Sequence, residues 1–114
     1  MSDGSTSVEA QEVELLLRQQ IGEVLRTHRL HKGMTLRQVA GRASVALGYL
    51  SEVERGQKEV SSEILQSVAD SLEVPLSLII RQVSDRVAAS EGVFIPDTAP
   101  DEFVSEAGLV SENS

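Results

Sequence analysis

The 114-residue chain contains no cysteine and no tryptophan, so it has neither a disulfide framework nor a thiolate metal site available to it. Its three aromatic residues are Tyr49, Phe94 and Phe103. A core must therefore be filled by Leu, Ile, Val and Ala, which points to packed helices. Long apolar runs are missing as well: Leu15–Leu17 and Leu78–Ile80 are far short of the roughly 20 residues needed to cross a bilayer. The opening stretch MSDGSTSVEAQEVE has neither the basic nor the apolar region of an export signal. These absences predict one small domain in the cytoplasm, with no membrane partner.

Net charge is −8, which at first argues against nucleic acid, because neutralising phosphates supplies most non-specific affinity. The average conceals a pattern. Residues 18–60 carry eight bases (Arg18, Arg26, Arg29, Lys32, Arg37, Arg42, Arg55, Lys58) against four acids (Glu23, Glu52, Glu54, Glu59), a net of +4, whereas residues 1–17 contribute −4 and residues 61–114 contribute −8. A basic segment is bracketed by acidic ones.

Residues 1–14 are small, polar and acidic without periodicity and read as a disordered leader. From residue 15 to 88 the apolar spacing predicts an all-α domain of five helices. Leu17, Ile21, Val24, Leu25 and His28 recur at helical spacing, and Gly33 follows a cationic last turn. Thr35 and Gln38 match a capping box opening a second helix at about Leu36–Ala43, with Leu36, Val39 and Ala40 inward. A third helix runs from about Ala46 to Arg55, with Leu50 and Val53 inward and Gly56 as its stop. The fourth is capped by Ser61 or Ser62 and buries Ile64, Leu65, Val68, Ala69 and Leu72, and Pro75 suits the first turn of the fifth. Residues 89–114 are acidic and read as a mostly disordered tail. Apolar residues within it, such as Phe94 and Phe103, give it either a docking role or none.

Two short helices joined by a tight turn, with Ala40 at the fifth position of the first and an aliphatic pair inside the second, describe a helix-turn-helix at about residues 35–55. The stretch GMTLRQVAGRASVALGYLSEVERG is similar to the pattern of the Cro/C1-type (XRE) transcriptional regulators, whose motif ends Leu50-Ser51-Glu52-Val53-Glu54-Arg55-Gly56 here. The resemblance implies a lambda-repressor-like fold and sequence-specific binding of double-stranded DNA. It assigns base contacts to Ala46, Leu47, Gly48, Ser51, Glu52 and Arg55, and backbone contacts to Thr35, Arg37, Gln38, Gln57 and Lys58. Within the family, ALGYLSEVERGQKEVSSEIL resembles the branch regulating Clp protease genes, which implies an activator of proteolysis and stress genes. The chain departs from the family at Leu36 (commonly Gln), Ser44 (commonly Gly with positive φ) and Ala46 (commonly a capping Ser). Ser44 is a candidate to supply the missing cap.

The apolar start of the third helix has a chemical reading. Ala46 and Leu47 can meet thymine methyls, and Gly48 lets the helix backbone come close to base edges. Glu52 can accept from cytosine N4 and Arg55 can fork onto guanine or phosphate, while Tyr49 could offer its hydroxyl to a phosphate. The alternative for Glu52 and Arg55 is a solvated pair worth about 0.2–0.5 kcal/mol. Arg26, Arg29 and Lys32 read as a solvated helix face rather than phosphate ligands.

His28 and His31 lack a third ligand and read as a surface pair, so no metal is expected. No catalytic constellation or cofactor motif appears at usable spacing, which excludes an enzyme. One reading head covers one half-site, so useful specificity needs a homodimer on a palindromic operator, with heads about one helical turn (~34 Å) apart. The fifth helix, through Leu78, Ile79, Ile80, Val83 and Val87, is the candidate interface. Activation would require contact with RNA polymerase. Two other readings stay open: an autoregulating antitoxin of the same fold, and a coactivator or scaffold that binds protein rather than DNA.

Overall fold

A computed structural model describes the backbone of residues 3–92 and the side chains of residues 10–92. In chain order the helices are α1 (Asp3–His31), α2 (Leu36–Ala43), α3 (Leu47–Glu54), α4 (Ser62–Leu72) and α5 (Leu76–Ser90), with no strand among the described residues. α1 packs on α5 and α3, α2 packs on α4 and α3, and α4 closes against α5.

The core follows the predicted stripes. Val24, Leu25, Val39, Ala40, Leu50, Val53, Val68, Ala69, Leu72 and Ile79 are buried together. Leu17 departs from its stripe and is exposed. α1 also begins at Asp3, not after residue 14, so the acidic leader is helical. The segment from Val8 to Leu17 has neither glycine nor proline and is rich in Glu, Gln, Ala and Leu, all strong helix formers. Glu14 and Arg18, one turn apart, add an ion pair at 3.3 Å.

Four helices end in the same way, with a residue in the left-handed region that turns its own N–H and the next one back onto the last carbonyls. At Gly33 (φ 70°) and Gly56 (φ 76°) the residue type suits that conformation, whereas Ser44 and Glu73 adopt it at φ 59° against the Cβ penalty. Ser44 thus occupies the position where the family carries glycine. Its N–H and that of Val45 bond back to Gly41 and Ala40 at 3.3 and 3.0 Å. Ser44 ends α2 and does not cap α3, whose N-cap Ala46 supplies no side-chain hydrogen bond.

The third helix is instead fixed by its neighbours. Gly22 of α1 lies so close to the end of α3 that a Cβ there would sit 2.4 Å from the Val53 carbonyl oxygen and 2.5 Å from that of Glu54. Beside this contact Arg29 is 9 % exposed and Glu54 8 %. Arg29 donates through Nε and Nη2 to the two Glu54 carboxylate oxygens at 2.7 and 2.9 Å, and through Nη1 to the Met34 carbonyl at 3.0 Å. Arg29 is therefore a buried bridge and not part of a solvated face. The hydrogen bond it donates to Glu54 raises its pKa further, outweighing the burial that disfavours its charge.

α5 contributes to the core more than expected. Ile79 is 0 % exposed and Val83 is buried beside it, so neither belongs to an outer dimer face. Their four-residue spacing puts them on one stripe turned toward α1 and α4. Leu78 and Ile80 flank that stripe and remain 36 % and 51 % exposed, and Val87 is half-buried. Residues 89–90 continue α5, and the expectation for residues 93–114 lies outside the described residues.

Candidate nucleic-acid interface

α2 and α3 pack against each other with Ala40 buried between its neighbours, as a tight helix-turn-helix crossing requires. α3 divides sharply around its circumference. Leu50, Val53 and Glu54 face the core. Ala46, Leu47, Gly48 and Arg55 are exposed, and Ser51 and Glu52 are half-exposed. The six residues assigned to base contact are thus all accessible and clustered on one short helix. Among the described residues nothing lies within 4 Å of where a Gly48 Cβ would stand, so this glycine answers no packing demand from them.

Arg55 donates to Ser51 Oγ at 2.5 Å and to Gln57 Oε1 at 3.4 Å. The serine one turn back therefore steers the guanidinium, and the expected alternative partner Glu52 forms no ion pair with it among the described residues.

The start of α2 lies at the other end of the motif. Thr35 Oγ1 accepts from the Gln38 N–H at 3.0 Å while Gln38 Oε1 accepts from the Thr35 N–H at 2.8 Å, the capping box read from sequence. Capping uses the oxygen of each side chain. The Thr35 hydroxyl hydrogen and the Gln38 amide hydrogens remain as donors, next to exposed Arg37 and the first-turn N–H groups of α2. Donors and partial positive charge at a helix N-terminus suit a phosphate.

Tyr49 departs from its expected role. Its hydroxyl donates to the Glu59 carbonyl oxygen at 2.7 Å, so the hydrogen that a phosphate would need is committed inside the protein. Burial, and then the negative charge of Glu59, push the phenol above its ordinary pKa. The Glu59 side chain accepts in turn from Arg18 at 2.9 Å. The nearby Glu14 carboxyl, and then the Arg18 guanidinium bonded to Glu59, hold its carboxyl below the usual range. Gln57 and Lys58, assigned to backbone contact, are exposed on the same loop.

The bridges Arg29–Glu54 and Arg18–Glu59 join residues 25 and 41 positions apart, and sequence reasoning did not find them. A signal existed for the first. Arg29 follows Leu25 by four and Glu54 follows Leu50 by four, which places one base and one acid on two buried stripes. His28 is half-buried with Nε2 2.6 Å from Gln82 Oε1, whereas His31 is exposed. The described residues contain no group of three His, Cys, Asp or Glu that could hold a metal ion, and no helix among them is long and apolar enough to cross a membrane.

Two short packed helices, the second with an unobstructed outer face and the first opening on free donors, define a helix-turn-helix DNA-binding domain. Comparison with known proteins agrees, since residues 20–79 match the family described as "Helix-turn-helix domain". The chain belongs to the Cro/C1-type (XRE) helix-turn-helix family of transcriptional regulators. It is 47% identical over 76 residues to the transcriptional regulator ClgR of Mycobacterium tuberculosis, a match that covers 67% of this chain and 68% of that protein. A crystal structure of the clp gene regulator ClgR from Corynebacterium glutamicum superposes with a TM-score of 0.64 at 35% identity, covering 86% of this chain and 96% of that one. The restriction-modification controller protein C.AhdI from Aeromonas hydrophila aligns with a TM-score of 0.52 at 27% identity, over 58% of this chain and 94% of its own.

Proposed function

We propose that the chain binds a palindromic operator as a homodimer, inserts the outer face of α3 into the major groove of each half-site, and activates genes for Clp proteases and related proteolysis in the cytoplasm. The observation that carries this reading is the open, accessible surface of Ala46, Leu47, Gly48, Ser51, Glu52 and Arg55 beside the donor-bearing start of α2. Leu47 and Ala46 meet thymine methyls, Gly48 admits the base edges, Glu52 accepts from a cytosine amine, and Arg55, steered by Ser51, reaches guanine or phosphate. Thr35, Arg37, Gln38, Gln57 and Lys58 take the phosphates on either side. Exposed Leu78 and Ile80, with half-buried Val87, supply the α5 surface for the second copy. The names of the relatives support the choice of target genes. Activation implies a contact with RNA polymerase.

The test is selection of genomic fragments by the purified chain, followed by footprinting and transcription in vitro. A single palindromic motif upstream of Clp genes, with transcription raised by the protein, is the expected outcome. Glu52→Ala should relax discrimination at one G·C pair of each half-site. Unchanged relative affinities across operator variants would remove Glu52 from the readers.

A further inference from the structure

The loop after α3 is tied down from three sides. Its first residue, Gly56, rests on α1: a Cβ there would stand 3.0 Å from Gln19 Cα. Tyr49, on α3 itself, donates its hydroxyl to the Glu59 carbonyl oxygen at 2.7 Å. Arg18, on α1, bonds the Glu59 carboxylate at 2.9 Å while also pairing with Glu14 at 3.3 Å. Between these anchors lie Gln57 and Lys58, both exposed, with Gln57 Oε1 accepting from Arg55. Short loops without such ties sample many conformations, and a cation on one must be ordered before it can hold a phosphate in register.

We propose that Tyr49 and Arg18 are positioning residues that hold residues 56–60 in the one conformation in which Gln57 and Lys58 meet the DNA backbone. The inference rests on the reading of α3 as the groove helix. Tyr49 touches no DNA in this arrangement, in contrast to the direct phosphate contact that its place on α3 suggests. The middle of α1, around Arg18, thereby belongs to the DNA-binding apparatus, although it lies outside the helix-turn-helix.

Salt titration with a double-mutant cycle tests this on the full chain, with both a selected operator duplex and a duplex of arbitrary sequence. Each cation that reaches a phosphate contributes about 0.9 to the slope of log K against log salt, and a neutral hydroxyl contributes nothing. Tyr49→Phe and Arg18→Gln should each weaken binding to both duplexes by about fivefold, the equivalent of one hydrogen bond. Each should flatten the slope by as much as Lys58→Ala does, and neither should cost anything further in a Lys58→Ala background. Arg18→Lys should restore much of the loss. Tyr49→Phe with an unchanged slope, or with a loss that adds to that of Lys58→Ala, would mean that the phenol binds phosphate directly and would overturn the proposal. Additive losses for Arg18→Gln and Lys58→Ala would do the same for Arg18. Both substitutions lie at the half-exposed rim, and melting curves confirm folding. An unsubstituted chain showing no salt-dependent binding to either duplex would instead refute the reading of α3, and this inference with it.

Discussion

Replacing Glu54 by glutamine is the sharpest test of how α3 is held. The Arg29 guanidinium has three short hydrogen bonds, two of them to the Glu54 carboxylate, and both residues are almost fully enclosed. The substituted side chain would keep one acceptor oxygen and turn an amide NH2 toward donors of the guanidinium, leaving a buried cation with only one good partner besides the Met34 carbonyl. Removing one member of a buried pair costs about 3–5 kcal/mol, mostly the penalty of stranding the other charge. Domains of this size are stable by about 5–15 kcal/mol, so the change consumes a large share of the total. At roughly 4–8 °C per kcal/mol, the melting temperature should fall by about 12–40 °C. Thermal and denaturant unfolding followed by circular dichroism measure it directly. The double substitution Arg29→Met with Glu54→Leu removes both charges at similar volume and should recover most of the loss. A Glu54→Gln variant within about 1 kcal/mol of the parent would show that the bridge is effectively solvated. A double variant no more stable than the single one would show that packing and not charge was lost. Either result would refute the argument.

Gly48→Ala should raise stability by up to about 1 kcal/mol, because the added methyl meets no atom of the described residues and helix propensity improves, yet weaken operator binding; opposite signs in melting and gel-shift assays are the diagnostic. Ser44→Gly should stabilise by about 1 kcal/mol by relieving the left-handed backbone at φ 59°, with operator affinity unchanged, as equilibrium unfolding would show. The raised pKa of Tyr49 means that the fold favours its neutral form, so the associated stability is complete below the ordinary phenol value of about 10 and is lost as pH rises through the folded value. Alkaline unfolding of Tyr49→Phe should lack that component. If Arg37 and Lys58, with or without Arg55, meet phosphates in each copy, a dimer makes four to six such contacts and the salt slope should lie near −4 to −5; a slope of half that size would indicate one bound head.

Features governed by local chemistry were legible in the sequence. The α2 boundaries were read correctly because the Thr35–Gln38 capping box closes within four residues, and Gly33 and Gly56 stop their helices by their own backbone freedom. The start of α1 was not legible, since its small, polar and acidic residues show no apolar stripe and the helix there is carried by propensity and dipole. On α5, five apolar residues within ten positions looked like surplus for an interface. They span more than one face, however, and Ile79 and Val83 belong to the protomer core. For the candidate site, the family resemblance named the exposed residues of α3, but the role of Tyr49 was not legible: its partner is a loop carbonyl ten residues on, fixed only by tertiary packing.

Among the described residues, the pairings also explain how an acidic chain can present a cationic face. Of the eight bases between residues 18 and 60, Arg29 and Arg18 are committed to Glu54 and Glu59, which removes two acids along with two bases. The commitments are uneven in place. Arg29 and Glu54 are withdrawn into the core, and Glu59 is held against α1, so that of the acids on the motif and its following loop only Glu52 stays on the outer face of α3. Arg37, Arg55 and Lys58 are left exposed around it. Local charge density, which falls off within roughly a Debye length of 8–10 Å, decides the attraction to phosphate, and the distant acids of the flanks are largely screened from it. The remaining carboxylate is then conspicuous, because under the proposed docking of α3 a lone acid among the phosphates would cost affinity unless it reads a base. That electrostatic cost, more than its position on the helix, is the reason to assign Glu52 to a cytosine amine.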